Sequence, residues 1–180
     1  LSADDAAVAL AAAHKWLEAD PTSLDAREVI TRVAVRQGHP DEAYDQCVAI
    51  ISGHPAGQTD GFRYVALLLG QETEHQDIAL GVMQRLVEKW PKSSGSHQAY
   101  ALLALRFNKA DLAEQQARAA LSVDPQAKET GLLLTGALVK KGDLTGADSV
   151  MDTLLKDNPS ATDLRLGYAR LLIESNQREH

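Results

Sequence analysis

The histidines are the residues of this chain best suited to metal binding or acid–base chemistry, so their spacing matters first. The six are His14, His39, His54, His75, His97 and His180. No two are three or four residues apart, the spacing that brings two side chains to one face of a helix, and no HExxH sequence occurs. The sequence therefore predicts no metal site.

The other chemically reactive candidates are also weak. Cys47 is the only cysteine, so no intramolecular disulfide can form, and its position in an apolar helical pattern predicts a small buried thiol. Neither GxxxxGK[ST] nor GxGxxG occurs, which leaves nucleotide binding without support. Glu72, Glu74 and Asp77 lack the spacing of a calcium loop and are predicted to form a solvated turn. We therefore expect a protein that is not an enzyme and that has no catalytic residue, metal or cofactor.

The composition favours packed helices. Hydrophobic residues make up 44% of the 180, but aromatic residues only 4%, and Ala and Leu, which are good helix formers, dominate. The formal net charge of −7 speaks against a general affinity for nucleic acid. No run of 18 apolar residues occurs, so no membrane span is predicted. Residues 1–20 do not have the pattern of a signal peptide.

Proline and alanine recur together along the chain. The recurring prolines are Pro21, Pro55, Pro91, Pro125 and Pro159, at spacings of 34, 36, 34 and 34 residues. Twelve residues before each proline stands an alanine: Ala9, Ala43, Ala79, Ala113 and Ala147. Proline disfavours helix in the residue before it and so marks helix ends, whereas a small side chain is needed where two helices cross closely. Gly38, Asn108 and Gly142 mark a second turn within the period.

The repeating unit is therefore predicted to be helix, short turn, helix and proline-marked turn. The predicted first helices span residues 24–37, 59–73, 94–107, 128–141 and 162–176. The predicted second helices span residues 3–19, 41–53, 76–90, 110–123 and 144–157. One repeat has two additional residues, which we place in the inter-repeat loop and in the turn QETEHQ. Helices this short are marginal alone, so we expect them to be stabilised by stacking.

This pattern resembles the tetratricopeptide repeat (TPR). Phe62, Val65, Ala66 and Leu69 match the large, Leu, small, large pattern of its first helix. The other repeats replace the first aromatic residue with Arg27, His97, Gly131 and Arg165. The resemblance implies an all-α fold, a right-handed α-solenoid of stacked antiparallel helix pairs. It divides the chain into a second helix of a partial repeat (1–23), repeats 24–58, 59–93, 94–127 and 128–161, and a first helix of a partial or capping repeat (162–180).

The resemblance also implies that the first helices line a concave groove, which binds a partner protein or peptide. The groove residues it predicts are Arg32, Val35, Arg36, Arg63, Leu67, Gln98, Leu102, Leu105, Arg106, Leu132, Val139, Lys140, Leu166, Arg170 and Ile173. The apolar members would form an interaction stripe flanked by cations, which suits an amphipathic or extended guest with some acidic residues. Alternatively, the leucines pack between repeats and the cations only complement helix dipoles. Some TPR proteins hold the C-terminal tails of chaperones with recurrent Asn and Lys residues on this face. No Asn stands in the matching positions of this chain, so a chaperone-tail adaptor is not expected.

The sequence thus predicts a protein–protein interaction scaffold. Two alternatives are a regulatory or adaptor segment of a larger envelope protein or protease complex, and a self-assembling element joined through unfinished repeat ends. Trp16 is predicted to lie in the core, and Trp90 to pack at a repeat junction. The chain resembles bacterial periplasmic TPR lipoprotein scaffolds, so we expect a fragment tethered to the outer membrane through a missing N-terminal segment, rather than a cytoplasmic protein.

Overall fold

A computed structural model describes residues 3–176, which form ten α-helices and no strand. The helices are α1 Ala3–Ala19, α2 Leu24–Gln37, α3 Pro40–Gly53, α4 Gln58–Leu69, α5 Gln76–Lys89, α6 Ser94–Arg106, α7 Ala110–Val123, α8 Lys128–Lys140, α9 Leu144–Asp157 and α10 Thr162–Asn176. The outermost residues of the predicted segments 1–23 and 162–180 lie outside the described part. No helix within that part has the length and apolar character needed to cross a membrane.

The helix bounds match the prediction to within one residue, except at α4. That helix ends at Leu69 and not at residue 73, and a turn of six residues separates it from α5. The starts of α4 and α5, residues 58 and 76, are 18 apart, whereas those of α2 and α3, residues 24 and 40, are 16 apart. The buried residues Ala26, Ile30 and Ala34 of α2 nevertheless recur in α4 as Gly61, Val65 and Leu69, 35 residues later. One additional residue therefore precedes this face of α4 and the other lies in the turn, as predicted.

Local sequence explains how the helices begin and end. The side chains of Ser23 and Asp143 accept hydrogen bonds from backbone N–H groups in the first turns of α2 and α9. Gly38 and Gly142 adopt left-handed conformations after α2 and α8, at φ 75° and 78°. Asn108 takes the equivalent place after α6 at φ 58°, which asparagine tolerates better than most residues. The predicted turn residues are confirmed.

The chain divides into two compact units. The first, Leu1–Pro91, contains α1 to α5, and its fully buried side chains include Ile30, Phe62 and Met83. Ala43 and Ala79 of the recurring alanine series are buried in this unit. Small side chains here let paired helices approach closely, as the sequence predicts.

The second unit, Lys92–His180, contains α6 to α10. Leu134 and Leu138 of α8 pack in one apolar cluster with the small residues Ala101, Ala117 and Ala147. A leucine on one helix thus fills the space that alanines on its neighbours leave open.

Candidate partner-binding surface

The predicted groove residues of the first unit lie on α2 and α4, with different exposures. Leu67 and Arg63 of α4 are exposed. Val35 of α2 is fully buried, so the prediction that it lies on an accessible face is wrong. Val35 therefore belongs to the core of its repeat, and this place agrees with the apolar side chain of valine.

Arg32 and Arg36 are bound by a buried carboxylate. Glu72, only 4% exposed, lies in the turn between α4 and α5. Its carboxylate accepts hydrogen bonds from Arg36 Nε at 2.6 Å, Arg36 Nη2 at 3.0 Å and Arg32 Nε at 3.3 Å. The hydrogen bond to Glu72 also raises the pKa of Arg36. The prediction of a solvated turn is thus wrong for Glu72, and these arginines connect elements of the protein itself.

A second carboxylate extends this network between α2 and α4. Arg32 Nη1 lies 3.6 Å from Glu28 Oε1, and the Tyr64 hydroxyl donates to Glu28 Oε2 at 2.7 Å. Burial, with the nearby Glu28 carboxylate, raises the pKa of Tyr64 to about 12. Sequence reasoning missed this network, although the insertion of acidic residues into one turn was a visible signal for it.

In the second unit the first helices α6, α8 and α10 lie side by side. A Cβ placed on Gly136 of α8 would lie 3.7 Å from Leu105 Cδ1 on α6 and 3.6 Å from Leu171 Cδ2 on α10. A Cβ on Gly167 of α10 would lie 3.4 Å from Leu132 Cδ2 on α8. The structure therefore brings α6, α8 and α10 into one layer, with the predicted residues Leu105 and Leu132 at the contacts between them.

The predicted binding residues in this layer differ in how far their side chains are exposed to solvent. Leu166 and Ile173 are 54% and 57% exposed. The half-buried members are Gln98, Leu102, Leu105 and Leu132, and the exposed cations are Arg106, Lys140 and Arg170. Val139 is buried in the same cluster as Leu138, so its predicted place on the surface is wrong. Leu105 and Leu132 each pack against a core cluster, which supports the alternative that some leucines pack within the array.

A cleft of about 400 Å³ opens beside this layer, between the C-terminal parts of α8 and α10. Gly136, Lys140, Leu171 and Glu174 contribute to its lining. Lys140 Nζ donates to the side-chain oxygen of Asn108 at 3.1 Å. The lining of the cleft thus combines apolar surface with two cations, Lys140 and Lys141, and one carboxylate.

Two of the residues considered for catalysis, Cys47 and His97, are buried or in contact with a neighbouring helix. Cys47 is fully buried, as predicted, and burial raises the pKa of its thiol to about 12. Within residues 3–176 no group of three or more His, Cys, Asp or Glu side chains is placed to hold a metal ion. His97 Nδ1 lies 2.8 Å from Gln116 Oε1 on α7, a contact between the paired helices α6 and α7.

The two tryptophans differ in their surroundings. The rings of Trp90 and Phe62 meet edge to face, with centroids 5.2 Å apart, so Trp90 packs on the first helix of its own repeat. Its packing at a repeat junction stays a prediction. Trp16 is 47% exposed, so the prediction that it lies in the core is wrong.

The arrangement of the helix pairs defines the fold class of the chain. No family model matches the chain, and no curated protein sequence matches it. The chain is similar to the crystal structure of TTC0263, a thermophilic TPR protein of Thermus thermophilus. That match has 20% sequence identity and a TM-score of 0.57, and it covers 91% of this chain and 89% of that chain. The chain therefore has the fold of a TPR protein, and the predicted fold class is confirmed.

Two further solved structures show the same fold. YrrB, described as a TPR protein with an unusual peptide-binding site, is 21% identical, with a TM-score of 0.54 and coverage of 94% of this chain and 86% of that chain. MamA is 15% identical, with a TM-score of 0.52 and coverage of 89% of this chain and 86% of that chain. At these identities the likeness is one of fold.

Proposed function

We propose that the chain is a non-catalytic scaffold that binds a partner protein or peptide on the face formed by α6, α8 and α10. The observation that carries this proposal is the exposure of Leu166 at 54% on that face. Large apolar side chains left accessible next to other apolar groups are typical of interaction surfaces. Leu102 and Leu132, both half-buried, extend the apolar area on the neighbouring helices.

The guest segment is expected to combine apolar side chains with some acidic ones. The apolar side chains would cover Leu166 and its neighbours, whereas carboxylates would approach Lys140 and Arg170, both exposed. The binding of Arg32 and Arg36 by Glu72 removes those two cations from this role. In the first unit, Leu67 and Arg63 remain predicted contacts.

Site-specific photocrosslinking tests the proposal. A photoreactive amino acid at position 166 should capture a partner from native extract, whereas the same group at position 123 should not. Val123 is a matched control because it is also exposed and apolar, but stands at the end of the second helix α7. Equal capture at both positions would refute the assignment of the surface.

A binding measurement with the purified partner completes the test. Leu166→Glu should weaken the affinity at least about tenfold, which corresponds to about 1.4 kcal/mol. Leu144→Glu, an exposed apolar position at the start of α9, should leave it unchanged. Unchanged helix content in both variants shows that the loss is one of binding.

The identity of the captured partner distinguishes a free-standing scaffold from a regulatory or adaptor segment of a larger envelope protein or protease complex. The bacterial periplasm stays a prediction, and cell fractionation of the full-length protein would test it.

A further inference from the structure

The side chain of Glu72 lies in a site whose geometry suits a carboxylate. Arg36 donates from Nε to Glu72 Oε2 at 2.6 Å and from Nη2 to Glu72 Oε1 at 3.0 Å. Two hydrogen bonds from one edge of a guanidinium group match the planar shape of a carboxylate. Arg32 Nε adds a third hydrogen bond, to Oε1 at 3.3 Å. The present occupant therefore defines the class of ligand that the two arginines bind.

The two arginines are accessible, whereas Glu72 is not. The side chains of Arg32 and Arg36 are 35% and 38% exposed, but Glu72 is only 4% exposed. Arg32 Nη1 also lies 3.6 Å from Glu28 Oε1. Among the described residues, Glu72 is the only acid within ion-pair distance of Arg36. A carboxylate of another molecule can therefore approach both cations from solvent, and Arg36 is the one that depends on such a partner once Glu72 leaves.

The turn that carries Glu72 is longer than the corresponding turns of the other repeats. It spans residues 70–75, whereas the turns after α2, α6 and α8 span residues 38–39, 107–109 and 141–143. Two backbone hydrogen bonds of 3.1 Å close this turn, from Glu72 N to Leu69 O and from His75 N to Glu72 O. Because these bonds do not involve the side chain, the Glu72 carboxylate can leave the arginines by rotation about its side-chain bonds while the turn stays folded.

We propose that Glu72 is an intramolecular competitor, which closes a carboxylate-binding site on Arg32 and Arg36 until an acidic side chain of a guest segment takes its place. This inference rests on the proposed function for the existence of a guest, but the site itself belongs to the first unit. The exchange preserves the ion pairs, because one carboxylate replaces another and the released Glu72 becomes solvated. Leu67 on the neighbouring helix α4 is 47% exposed and offers an apolar contact to the same guest.

The competition makes the site selective. A group attached to the same chain competes at a high effective concentration, which is in the millimolar range for short flexible connections. A lone carboxylate that makes no other contact therefore does not displace Glu72. A carboxylate that other contacts of the guest hold beside the arginines does displace it. With Glu72 in place, Arg32 and Arg36 take no part in guest binding.

Binding of propionate tests the site without a guest. Propionate has the shape of a glutamate side chain, and propionamide is its uncharged analogue. At constant ionic strength, propionate should raise the urea midpoint of Glu72→Ala, followed by tryptophan fluorescence of the first unit. The dissociation constant should be at least about tenfold lower than for the unmodified chain, because the competitor is gone. If Glu72→Ala is unfolded on its own, propionate should restore its helix content.

Three controls show whether the effect belongs to this site. Propionamide should have no effect, and Glu74→Ala should respond to propionate like the unmodified chain, because Glu74 is an exposed acid of the same turn. Adding Arg36→Gln to Glu72→Ala should abolish the response. A response that survives Arg36→Gln would overturn the proposal. Equal binding of propionate to Glu72→Ala and to the unmodified chain would also overturn it and leave Glu72 with a stabilising role alone.

The partner captured through position 166 then tests the competition with a guest. Glu72→Ala should raise the affinity for that partner, whereas Glu74→Ala should not. An unchanged or lowered affinity of Glu72→Ala would refute the role of the site in guest binding. Leu166 is intact in all these variants, so crosslinking at position 166 reports separately on the face formed by α6, α8 and α10.

Discussion

The buried carboxylate of Glu72 should contribute measurably to the stability of the first unit. Glu72→Gln removes the negative charge and turns an amide group towards two guanidinium groups that the carboxylate now binds with three hydrogen bonds. A charge-assisted hydrogen bond contributes about 1.5–3 kcal/mol, and removing one partner of a fully buried ion pair costs about 3–5 kcal/mol. The side chains of Arg32 and Arg36 are 35% and 38% exposed, so water can replace part of the loss. We therefore expect the free energy of unfolding to fall by about 2 kcal/mol.

Tryptophan fluorescence during urea unfolding is the suitable assay. Trp16 and Trp90 are the two tryptophans of the chain, and both belong to the first unit, so their emission follows that unit specifically. Far-ultraviolet circular dichroism reports on both units together. Glu74→Gln is the matched control, because Glu74 stands in the same turn but is exposed. If Glu72→Gln shifts the fluorescence midpoint no more than Glu74→Gln does, the stabilising role assigned to the Glu72 contacts is refuted.

Three further predictions concern burial and charge. Cys47 should react with a thiol reagent only as fast as the first unit opens, because it is fully buried and its thiol pKa is raised to about 12; rapid reaction in native buffer would contradict its burial. Ala113→Leu should destabilise the second unit by about 1–3 kcal/mol through overpacking, whereas an unchanged thermal midpoint would show that the assigned helix register is wrong. Hydrogen bonds from Lys141 and Arg118 lower the pKa of Glu114, so its stabilising contribution is present above the usual carboxyl pKa of 4.5 and is lost as the pH falls through the lowered value. Lys141→Met should reduce this acid dependence in circular dichroism titrations, and an unaltered acid profile would contradict the assignment.

The local sequence was sufficient to predict the helices and the fold class. Prolines such as Pro55 and turn residues such as Gly38 and Gly142 end or separate helices through their own backbone preferences. These effects act within a few residues. Helix-ending residues that recur with a period of about 34 residues therefore predict paired helices directly. The alanines that precede the prolines predicted the close crossings for a similar reason, because only small side chains fit there.

The tertiary structure decided which of the predicted surface residues are accessible. Val35 and Arg36 are neighbours on α2, yet the first is in the core and the second reaches a carboxylate 36 residues later in the chain. Adjacent residues on a helix point about 100° apart, so a small change in how neighbouring helices pack decides which of them is covered. The burial of Glu72 and the exposure of Trp16 depend likewise on residues distant in sequence. The repeat pattern therefore predicted the helices, whereas contacts between helices determined which side chains remain exposed.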